Sequence, residues 1–390
     1  MKIAIYGGSF NPPHLGHEEV AVTVSRELAP DVFFIMPDNE PPHKYLEDGS
    51  PGPMERLEMC RLAFAEIPHA EISQLELLRE GKSYTADTIK ILRESYPKDE
   101  MYLIMGTDMF LCFEEWYHFR YLLEQCILTV FPRTEDDMDA ITRCKEHFEQ
   151  EYGARVELLS HVALPISSSE VREKLRLRLG TELLDDRVYS HIIRHGYYDA
   201  LPELSWLREK AYAHLKESRI AHVAGCEGEA VMLAMHWGEN PEKAATAGIL
   251  HDITKRRSGE EQLKLCEEYG IICDEVEKRS PKILHAKTGA ALARELFGIS
   301  DSIYEAIRWH TTGKPDMTLL EKITYLADYM EPNRDFEGVE ELRRLAYEDL
   351  DEAMCLGLRM SLEDLNRRGV EAHKDTVAAL AWYSRAVEEK

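Results

Sequence analysis

The feature that most constrains the fold of this 390-residue chain is a change in its apolar pattern near the middle. In the first half, short runs that are apolar throughout alternate with amphipathic stretches of helical period. Such runs are typical of parallel strands that helices cover on both faces. The pattern therefore predicts a doubly wound parallel α/β sheet, whose ligands bind beyond the carboxyl ends of the strands. In the second half only the helical period remains, which predicts an all-α domain.

The same periodicities predict individual elements. We expect strands at residues 2–6, 32–36, 101–106, 127–131 and 155–159. We expect helices at residues 18–28, 55–66, 85–94 and 186–195, and Gly196 follows the last of these as a C-cap. Residues 201–203 (LPE) then indicate a short hinge. We place the domain boundary near residue 200, which gives domains 1–200 and 201–390.

Composition and charge exclude several classes of partner. The formal net charge is −25, and such a surface repels phosphate backbones, so we expect no nucleic-acid partner. The eight cysteines are dispersed and form no Cys-x-x-Cys pair, which is typical of reduced thiols in the cytoplasm. No apolar run approaches the ~20 residues of a membrane span. We therefore expect a cytoplasmic protein without a membrane partner, and homo-oligomerisation stays open.

Residues 7–17 (GGSFNPPHLGH) directly follow the first predicted strand and suit an anionic ligand. Gly7 and Gly8 let the backbone approach a ligand closely. His14 and His17 are three residues apart at the start of a helix, so both rings face one side, beside free N–H groups. We expect this segment to bind the triphosphate of a nucleotide. The alternative is a tight strand–helix turn that happens to contain two histidines.

Residues 165–172 (PISSSEVR) form a second segment that suits an anion. Its serines precede a helical run, which is typical of an N-cap. Arg172 follows Ser169 by three residues, so hydroxyl, backbone N–H and guanidinium groups would share the first helical turn. Taken alone, the segment fits a plain capped helix with a surface arginine better.

Both segments resemble signatures of the nucleotidylyltransferase superfamily, Gly-Ser-Phe-x-Pro-x-His-x-Gly-His and Ser-Ser/Thr-x-x-Arg. Between and after them, the chain resembles one member, bacterial nicotinate-nucleotide adenylyltransferase. The matching pieces are residues 41–44 (PPHK), 83–88 (SYTADT), 106–108 (GTD), Trp116, 132–133 (PR) and 188–198 (VYSHIIRHGYY). The resemblance covers residues 1–200 and implies a Rossmann-like sheet. Two departures keep similar groups: Asn11 where many members carry Asp, and Ser169 where Thr is frequent.

The resemblance implies transfer of AMP from ATP to the 5′-phosphate of nicotinate mononucleotide, with release of pyrophosphate. Both reacting groups belong to substrates, so catalysis rests on positioning and charge neutralisation. It implies that ATP phosphates are held by His14, His17, Ser168 and Arg172, with Mg²⁺ bridging phosphate oxygens. The expected catalytic residues of this half are His14 and His17 from the first segment and Arg172 from the second.

The resemblance also implies the remaining substrate contacts. Thr85 and Trp116 would hold the nicotinate end, Trp116 by stacking its indole on the pyridine ring. A buried core tryptophan is the alternative for Trp116. The other expected contacts are Gly7, Gly8, Ser9, Phe10, Gly106 and Ser169 around the nucleotide, Lys44 and Arg133 as cations, and Asp108 at ribose or metal.

The helical half contains an adjacent pair, His251 and Asp252, among apolar residues. A buried histidine or aspartate is costly unless it is paired or binds a metal. Residues of the same kind in separate helical stretches are His222, His285, His310 and Asp328. Any one of them is more often an ordinary core or surface residue. As a set they predict a metal site, and imidazole with carboxylate suits Fe, Mn, Zn, Ni or Co.

His251-Asp252 with a distant Asp328 is similar to the pattern of the HD superfamily. Residues 250–255 (LHDITK), 310–313 (HTTG) and 327–334 (ADYMEPNR) resemble bacterial HD proteins that hydrolyse diadenosine tetraphosphate to two ADP. The resemblance implies an iron-type centre, or another transition metal such as manganese, with the core ligands His222, His251, Asp252 and Asp328. It further implies a second metal or phosphate at His285 and His310, phosphate contacts from Lys255 and Arg334, and a catalytic role for Asp252. Surface salt bridging is the alternative for Arg334.

Two other interpretations of the helical half stay open. Its substrate could be another nucleotide phosphoanhydride, because HD domains share ligands and differ in their pocket walls. Alternatively, the half could bind a metal or nucleotide without turnover and regulate the transferase. The complete set of six His and Asp residues favours hydrolysis.

Overall fold

The computed structural model describes residues 1–42, 45–160 and 163–389. Residue contacts divide the chain into two compact units, Met1–Leu201 and Pro202–Lys390, which we call the first and second unit. Lys44, one of the expected cationic contacts, lies outside the described residues. Within the described ranges, no helix is long and apolar enough to cross a membrane.

The first unit is built on a six-stranded parallel sheet with the strand order β3-β2-β1-β4-β5-β6. The strands β1 to β6 are Lys2–Gly8, Val32–Pro37, Ala70–Ile72, Glu100–Gly106, Cys126–Phe131 and Arg155–Leu158. The helices α1 to α8 are Leu15–Glu27, Pro53–Ala63, Thr85–Ser95, Thr107–Leu111, Phe119–Gln125, Met138–Tyr152, Ser168–Arg176 and Asp186–His195. This confirms the predicted doubly wound α/β fold.

All five predicted strands are present, and the sheet has one strand that the apolar pattern did not predict. That strand, β3, is only three residues long and pairs with β2 alone, at the edge of the sheet. Its residues are half-buried or exposed, so they form no apolar run. Gly196 ends α8 in the left-handed conformation with φ of 66°, as a glycine C-cap requires.

The strand order places the ligand site of the first unit. β1 pairs with β2 on one side and with β4 on the other, so the direction of winding reverses between β1 and β4. A crevice forms outside the carboxyl ends of the strands at such a switch point. Gly8 and Gly106 end the two strands there.

The described part of the second unit is helical throughout, which confirms the predicted all-α class. Its helices α9 to α19 are Leu204–Ala213, Glu217–Trp237, Pro241–Leu250, Gly259–Glu268, Glu275–Arg279, His285–Phe297, Asp301–Trp309, Leu319–Met330, Val339–Glu348, Leu350–Arg367 and Lys374–Glu388. α10 packs against α11 and α16, while α15 packs against α11, α14 and α16. These contacts bring the ends of several helices to one place.

Candidate active sites

A cavity of about 580 Å³ lies at the switch point of the first unit. Thirteen of the predicted substrate and catalytic residues line it: Gly7, Gly8, Ser9, Phe10, His14, His17, Thr85, Gly106, Trp116, Arg133, Ser168, Ser169 and Arg172. Asp108 is not among the lining residues, and its carboxylate instead pairs with Arg133 Nε at 3.3 Å. The cavity therefore brings together residues from both predicted anion-binding segments and from the stretches between them.

The two histidines of the first segment stack on one another. Their ring centroids are 3.7 Å apart, and the His14 backbone N–H donates to His17 Nδ1 at 3.2 Å. Burial, together with the positive charge of Arg133, lowers the pKa of His14 to about 3. His14 is therefore a neutral imidazole near pH 7, and its buried Nδ1 makes no hydrogen bond to the described residues.

Arg172 ties the second segment to the first. Its guanidinium is nine-tenths buried and donates to Asn11 O at 2.7 Å and to Ser169 Oγ at 3.1 Å. The Ser168 hydroxyl donates to Pro12 O at 3.0 Å. Arg172 is thus not a surface arginine on a plain capped helix. The remaining guanidinium contact is a pair with Glu47, at 2.6 Å.

Arg56 supports the cavity, although its only signal in the sequence is a charge on a predicted helix. The side chain is fully buried on α2 and donates to Ser9 O at 2.6 Å and to Asp38 O at 2.7 Å. It therefore holds the loops after β1 and β2 together. Asn11 is held in the same way, since Tyr198 donates to its side-chain oxygen at 2.8 Å.

Small and aromatic residues shape the rest of the cavity wall. A Cβ on Gly106 would lie 3.0 Å from the Phe131 ring and 3.3 Å from Arg133 Nε, so only glycine leaves room for this arginine. Trp116 is half-buried and packs on Phe113 with ring centroids 5.0 Å apart. Its indole thus reaches both the core and the cavity.

The second unit brings together all six predicted His and Asp residues. His222 is on α10, His251 and Asp252 directly follow α11, and Asp328 is on α16. His285 begins α14, and His310 directly follows α15. Residues that are up to about a hundred positions apart therefore form one buried cluster, which we call the HD centre.

Asp252 lies between two groups of histidines and faces each with a different carboxylate oxygen. Oδ2 lies 3.4 Å from His251 Nε2 and 3.9 Å from His222 Nε2. Oδ1 lies 3.2 Å from His285 Nε2 and 3.8 Å from His310 Nε2. A carboxylate placed in this way can bridge two metal positions.

Backbone carbonyls orient the imidazoles of the HD centre. The Nδ1 atoms of His251, His285 and His310 lie 2.8, 2.6 and 2.6 Å from the carbonyl oxygens of Gly248, Lys282 and Ile307. A carbonyl oxygen only accepts, so each Nδ1 donates, and a ring that is neutral presents the lone pair of Nε2 to the centre. This tautomer is the one that binds a metal through Nε2.

Glu331 orients the imidazole of His222, and the sequence analysis predicted no role for this residue. Its Oε1 lies 3.1 Å from His222 Nδ1, while its Oε2 accepts from the backbone N–H of Asn333 at 2.7 Å. A Cβ on Gly225 would overlap Glu331 Oε2, so a glycine on α10 makes room for the carboxylate. The partners are 109 residues apart, and no local pattern links them.

Electrostatics sets different protonation states at the HD centre. Burial lowers the pKa of both His222 and His251, but neighbouring carboxylate and thiol groups outweigh it. They raise the pKa of His222 to about 9 and that of His251 well above its usual range. Burial raises the pKa of Asp252, but His251 and His285 outweigh it and hold that pKa well below its usual range. Burial and the neighbouring histidines keep the pKa of His310 well below its usual range. The carboxyl is therefore ionised and this imidazole neutral near pH 7.

Three cationic side chains surround the cluster. Lys255 Nζ lies 2.8 Å from His285 Nε2. Arg219 was not predicted, and its Nε donates to Asp252 Oδ2 at 2.6 Å. Arg334 pairs with Asp328 at 3.0 Å. A salt bridge was the alternative to a phosphate contact for this residue.

The donor atoms of the HD centre fit a divalent transition metal. His251 Nε2 and Asp252 Oδ1 are buried, yet make no hydrogen bond of acceptable geometry with the described residues. His222, His251 and Asp328 belong to one group of converging ligand atoms, and His251, Asp252 and His310 to another. Imidazole nitrogen and carboxylate oxygen are the donors that such metals take in proteins.

Comparison with known proteins agrees with both sites. The cytidylyltransferase-like family matches residues 5–174, and the HD domain family matches residues 219–333. The chain is therefore an enzyme that joins a nucleotidyltransferase domain to an HD phosphohydrolase domain, and the HD family implies a divalent metal. More narrowly, it belongs to two families, the nicotinate-nucleotide adenylyltransferases and the symmetrical bis(5′-nucleosyl)-tetraphosphatases.

Relatives of each kind align over nearly their whole length. The symmetrical bis(5′-nucleosyl)-tetraphosphatase of Bacillus subtilis is 37% identical over 45% of this chain and 96% of its own. The nicotinate-nucleotide adenylyltransferase of the same organism is 32% identical over 51% of this chain and 99% of its own. A crystal structure described as a predicted HD superfamily hydrolase involved in NAD metabolism, from Clostridium acetobutylicum, is 34% identical. It covers 49% of this chain and 100% of its own, with a TM-score of 0.47.

Proposed function

We propose that the first unit transfers AMP from Mg²⁺-bound ATP to nicotinate mononucleotide, which yields deamido-NAD and pyrophosphate. The observation that carries this proposal is the convergence of His14, Ser168 and Arg172 on one cavity. The buried guanidinium would neutralise phosphate charge, and the imidazoles would orient the phosphates, as charge moves onto pyrophosphate. No protein nucleophile is needed, because the attacking oxygen belongs to the mononucleotide.

The nicotinate end of the substrate would lie against Thr85 and Trp116. Both line the cavity, and an exposed indole face can stack on a pyridine ring. Mg²⁺ would enter with ATP, and Asp108, which pairs with the cavity residue Arg133, would contact ribose or metal. Acceptance of the amide mononucleotide is a separate question that the same assay answers.

The test supplies ATP, Mg²⁺ and nicotinate mononucleotide, or its amide analogue, and identifies products by chromatography. We expect deamido-NAD and pyrophosphate from the wild type. Arg172→Lys keeps the charge but loses the planar fork, and should lower kcat by on the order of 100-fold. Arg176→Lys, on the same helix and 40% exposed, is the matched control. No deamido-NAD from a folded wild type would contradict the proposal.

We propose further that the second unit hydrolyses diadenosine tetraphosphate to two ADP at the HD centre. The supporting observation is Asp252, whose two oxygens face two groups of imidazoles. The core ligands would be His222, His251, Asp252 and Asp328, holding iron or, alternatively, manganese. His285 and His310 would bind a second metal or the phosphate chain.

Each side chain of the HD centre would have a separate role in hydrolysis. When bound, the metal would polarise a phosphoryl oxygen and lower the pKa of water. The carbonyl-anchored imidazoles keep their lone pairs directed inward, and the ionised Asp252 holds the geometry between the two groups. Lys255 and Arg219 would neutralise the charge of the polyphosphate chain.

The test incubates the whole chain with diadenosine tetraphosphate and Mn²⁺ or Fe²⁺, with the Asp252→Ala variant beside it. Two ADP from the wild type alone would support symmetrical cleavage at this centre. ATP plus AMP would contradict the position of cleavage. The transferase reaction of Asp252→Ala is the internal control, and the hydrolase reaction of Arg172→Lys is its counterpart.

Two alternatives for the second unit are outcomes of the same experiment. Turnover of another nucleotide phosphoanhydride, with none of diadenosine tetraphosphate, would keep the hydrolase and change its substrate. Metal binding without turnover of any nucleotide would favour a regulatory module. The completeness of the ligand set favours hydrolysis over regulation.

A further inference from the structure

The HD centre contains a thiol that lies outside the ligand set assigned above. Cys226 is on α10, one turn after His222, and residues four apart share a helix face. Its Sγ lies 3.3 Å from His222 Nε2, which is the nitrogen that faces the centre because Nδ1 is engaged by Glu331. The Cys226 side chain is buried, with 1% exposure.

Cys226 converges with three other donors on one point. The ligand atoms of His222, Cys226, His251 and Asp328 all lie within 4.8 Å of one another. His251 Nε2 is an independent indication of a ligand there, because it is buried in this group without a hydrogen bond of acceptable geometry. The four residues come from three helical segments, so the point is enclosed from several sides.

The spacing of sulfur and nitrogen suits one shared metal ion. Zinc lies about 2.3 Å from a thiolate sulfur and about 2.0–2.1 Å from an imidazole nitrogen. In a tetrahedral site the two donor atoms are then roughly 3.5 Å apart. The distance from Cys226 Sγ to His222 Nε2, 3.3 Å, is close to that value.

We propose that Cys226 ligates the metal of the HD centre as a thiolate, together with His222, His251 and Asp328. This inference rests on the proposed metal-binding function of that centre. On ligation the S–H bond breaks, its electron pair forms the bond to the metal, and the proton passes to solvent. A thiolate makes the site softer, so it favours Zn²⁺, Co²⁺ or Fe²⁺ over Mn²⁺ and Mg²⁺.

The test titrates the metal-stripped full chain with Co²⁺ and records its absorption and the protons released. We expect a thiolate-to-cobalt charge-transfer band in the near ultraviolet. Cys226→Ser should still bind Co²⁺ but lose that band and release one proton fewer, and its affinity for Zn²⁺ should fall by on the order of tenfold or more. Cys226→Val, which removes the donor and keeps an apolar side chain, should lose the band as well.

A control variant separates this thiol from the other cysteines of the chain. Cys266→Ser alters another buried cysteine of the second unit and should keep the band. Co²⁺ bound without the band, or an unchanged band in Cys226→Ser, would overturn the inference and leave the HD metal centre standing. If the wild type bound no Co²⁺, the metal centre itself would fail, and the inference with it.

Discussion

At the scale of single residues, the charge of Glu331 holds His222 in the orientation that directs Nε2 at the metal. Loss of a carboxylate that orients a metal-binding histidine lowers metal affinity by about 10–100-fold. We therefore expect Glu331→Gln to weaken Co²⁺ or Mn²⁺ binding by that factor, measured by titration of the metal-free chain. Glu340→Gln, at an 82% exposed side chain, should bind as the wild type does. Equal affinities for the two variants would show that Glu331 does not act through His222.

The buried imidazole of His14 makes a prediction about pH. Burial and the charge of Arg133 lower its pKa from 6.5 to about 3, whereas the unfolded chain protonates this ring near pH 6.5. Between those values the unfolded state binds more protons, so the contribution of His14 to stability falls as pH falls. In a histidine NMR titration, we expect the His14 signal to stay unchanged from about pH 7 to about pH 5.

A variant assigns that signal and supplies the stability comparison. His14→Asn removes the titrating ring, so its free energy of unfolding should decline less than that of the wild type as pH falls through the same range. Carboxylates titrate in both proteins, and the difference between them isolates His14. A His14 signal that titrates near 6.5 would contradict a neutral buried ring.

At the scale of elements, two glycines of the second unit should respond oppositely to the same change. A Cβ on Gly248 of α11 would lie 2.7 Å from Glu227 Cα on α10, whereas a Cβ on Gly228 of α10 meets nothing within 4 Å. Gly248→Ala should push α10 from α11 and destabilise by about 1–3 kcal/mol. Gly228→Ala should stabilise by about 0.5–1 kcal/mol through helix propensity. Thermal unfolding checks both, and a neutral Gly248→Ala would show that the helices can separate freely.

Elements with strong periodicity were predictable from the sequence, and the exceptions have physical causes. Four of the five predicted strands are buried on both faces, and the fifth, β6, has alternating burial. Strand β3 was missed because it is short, lies at the sheet edge and is only half-buried. The four helices that were predicted individually agree with α1, α2, α3 and α8 within a few residues, and Gly196 marks where α8 ends.

At the scale of the whole molecule, the sequence predicted the residues of each site better than their supports. Histidines and aspartates in apolar surroundings stand out, because their burial needs an explanation. Arg56, Arg219 and Glu331 carry no such signal, since charged residues on helices are usually solvated. Their roles arise from partners that are 18 to 109 residues away, which only the fold brings together.

The described residues of each site lie within one unit, and this predicts that the two activities can be separated. The residues that line the cavity lie within Met1–Leu201, and those of the HD centre lie within Pro202–Lys390. Both units have the size of a self-folding domain. Expressed as two fragments divided after Leu201, each should unfold cooperatively and keep the kcat/KM of its own reaction.

Mixing the fragments provides the control for that separation. Because no residue of either site is lost from its fragment, the mixture should match the sum of the two fragments and the intact chain in both assays. A fragment that folds, loses most of its activity and regains it on mixing would show that its site depends on the other unit. Unchanged rates would instead show that neither reaction depends on the covalent link.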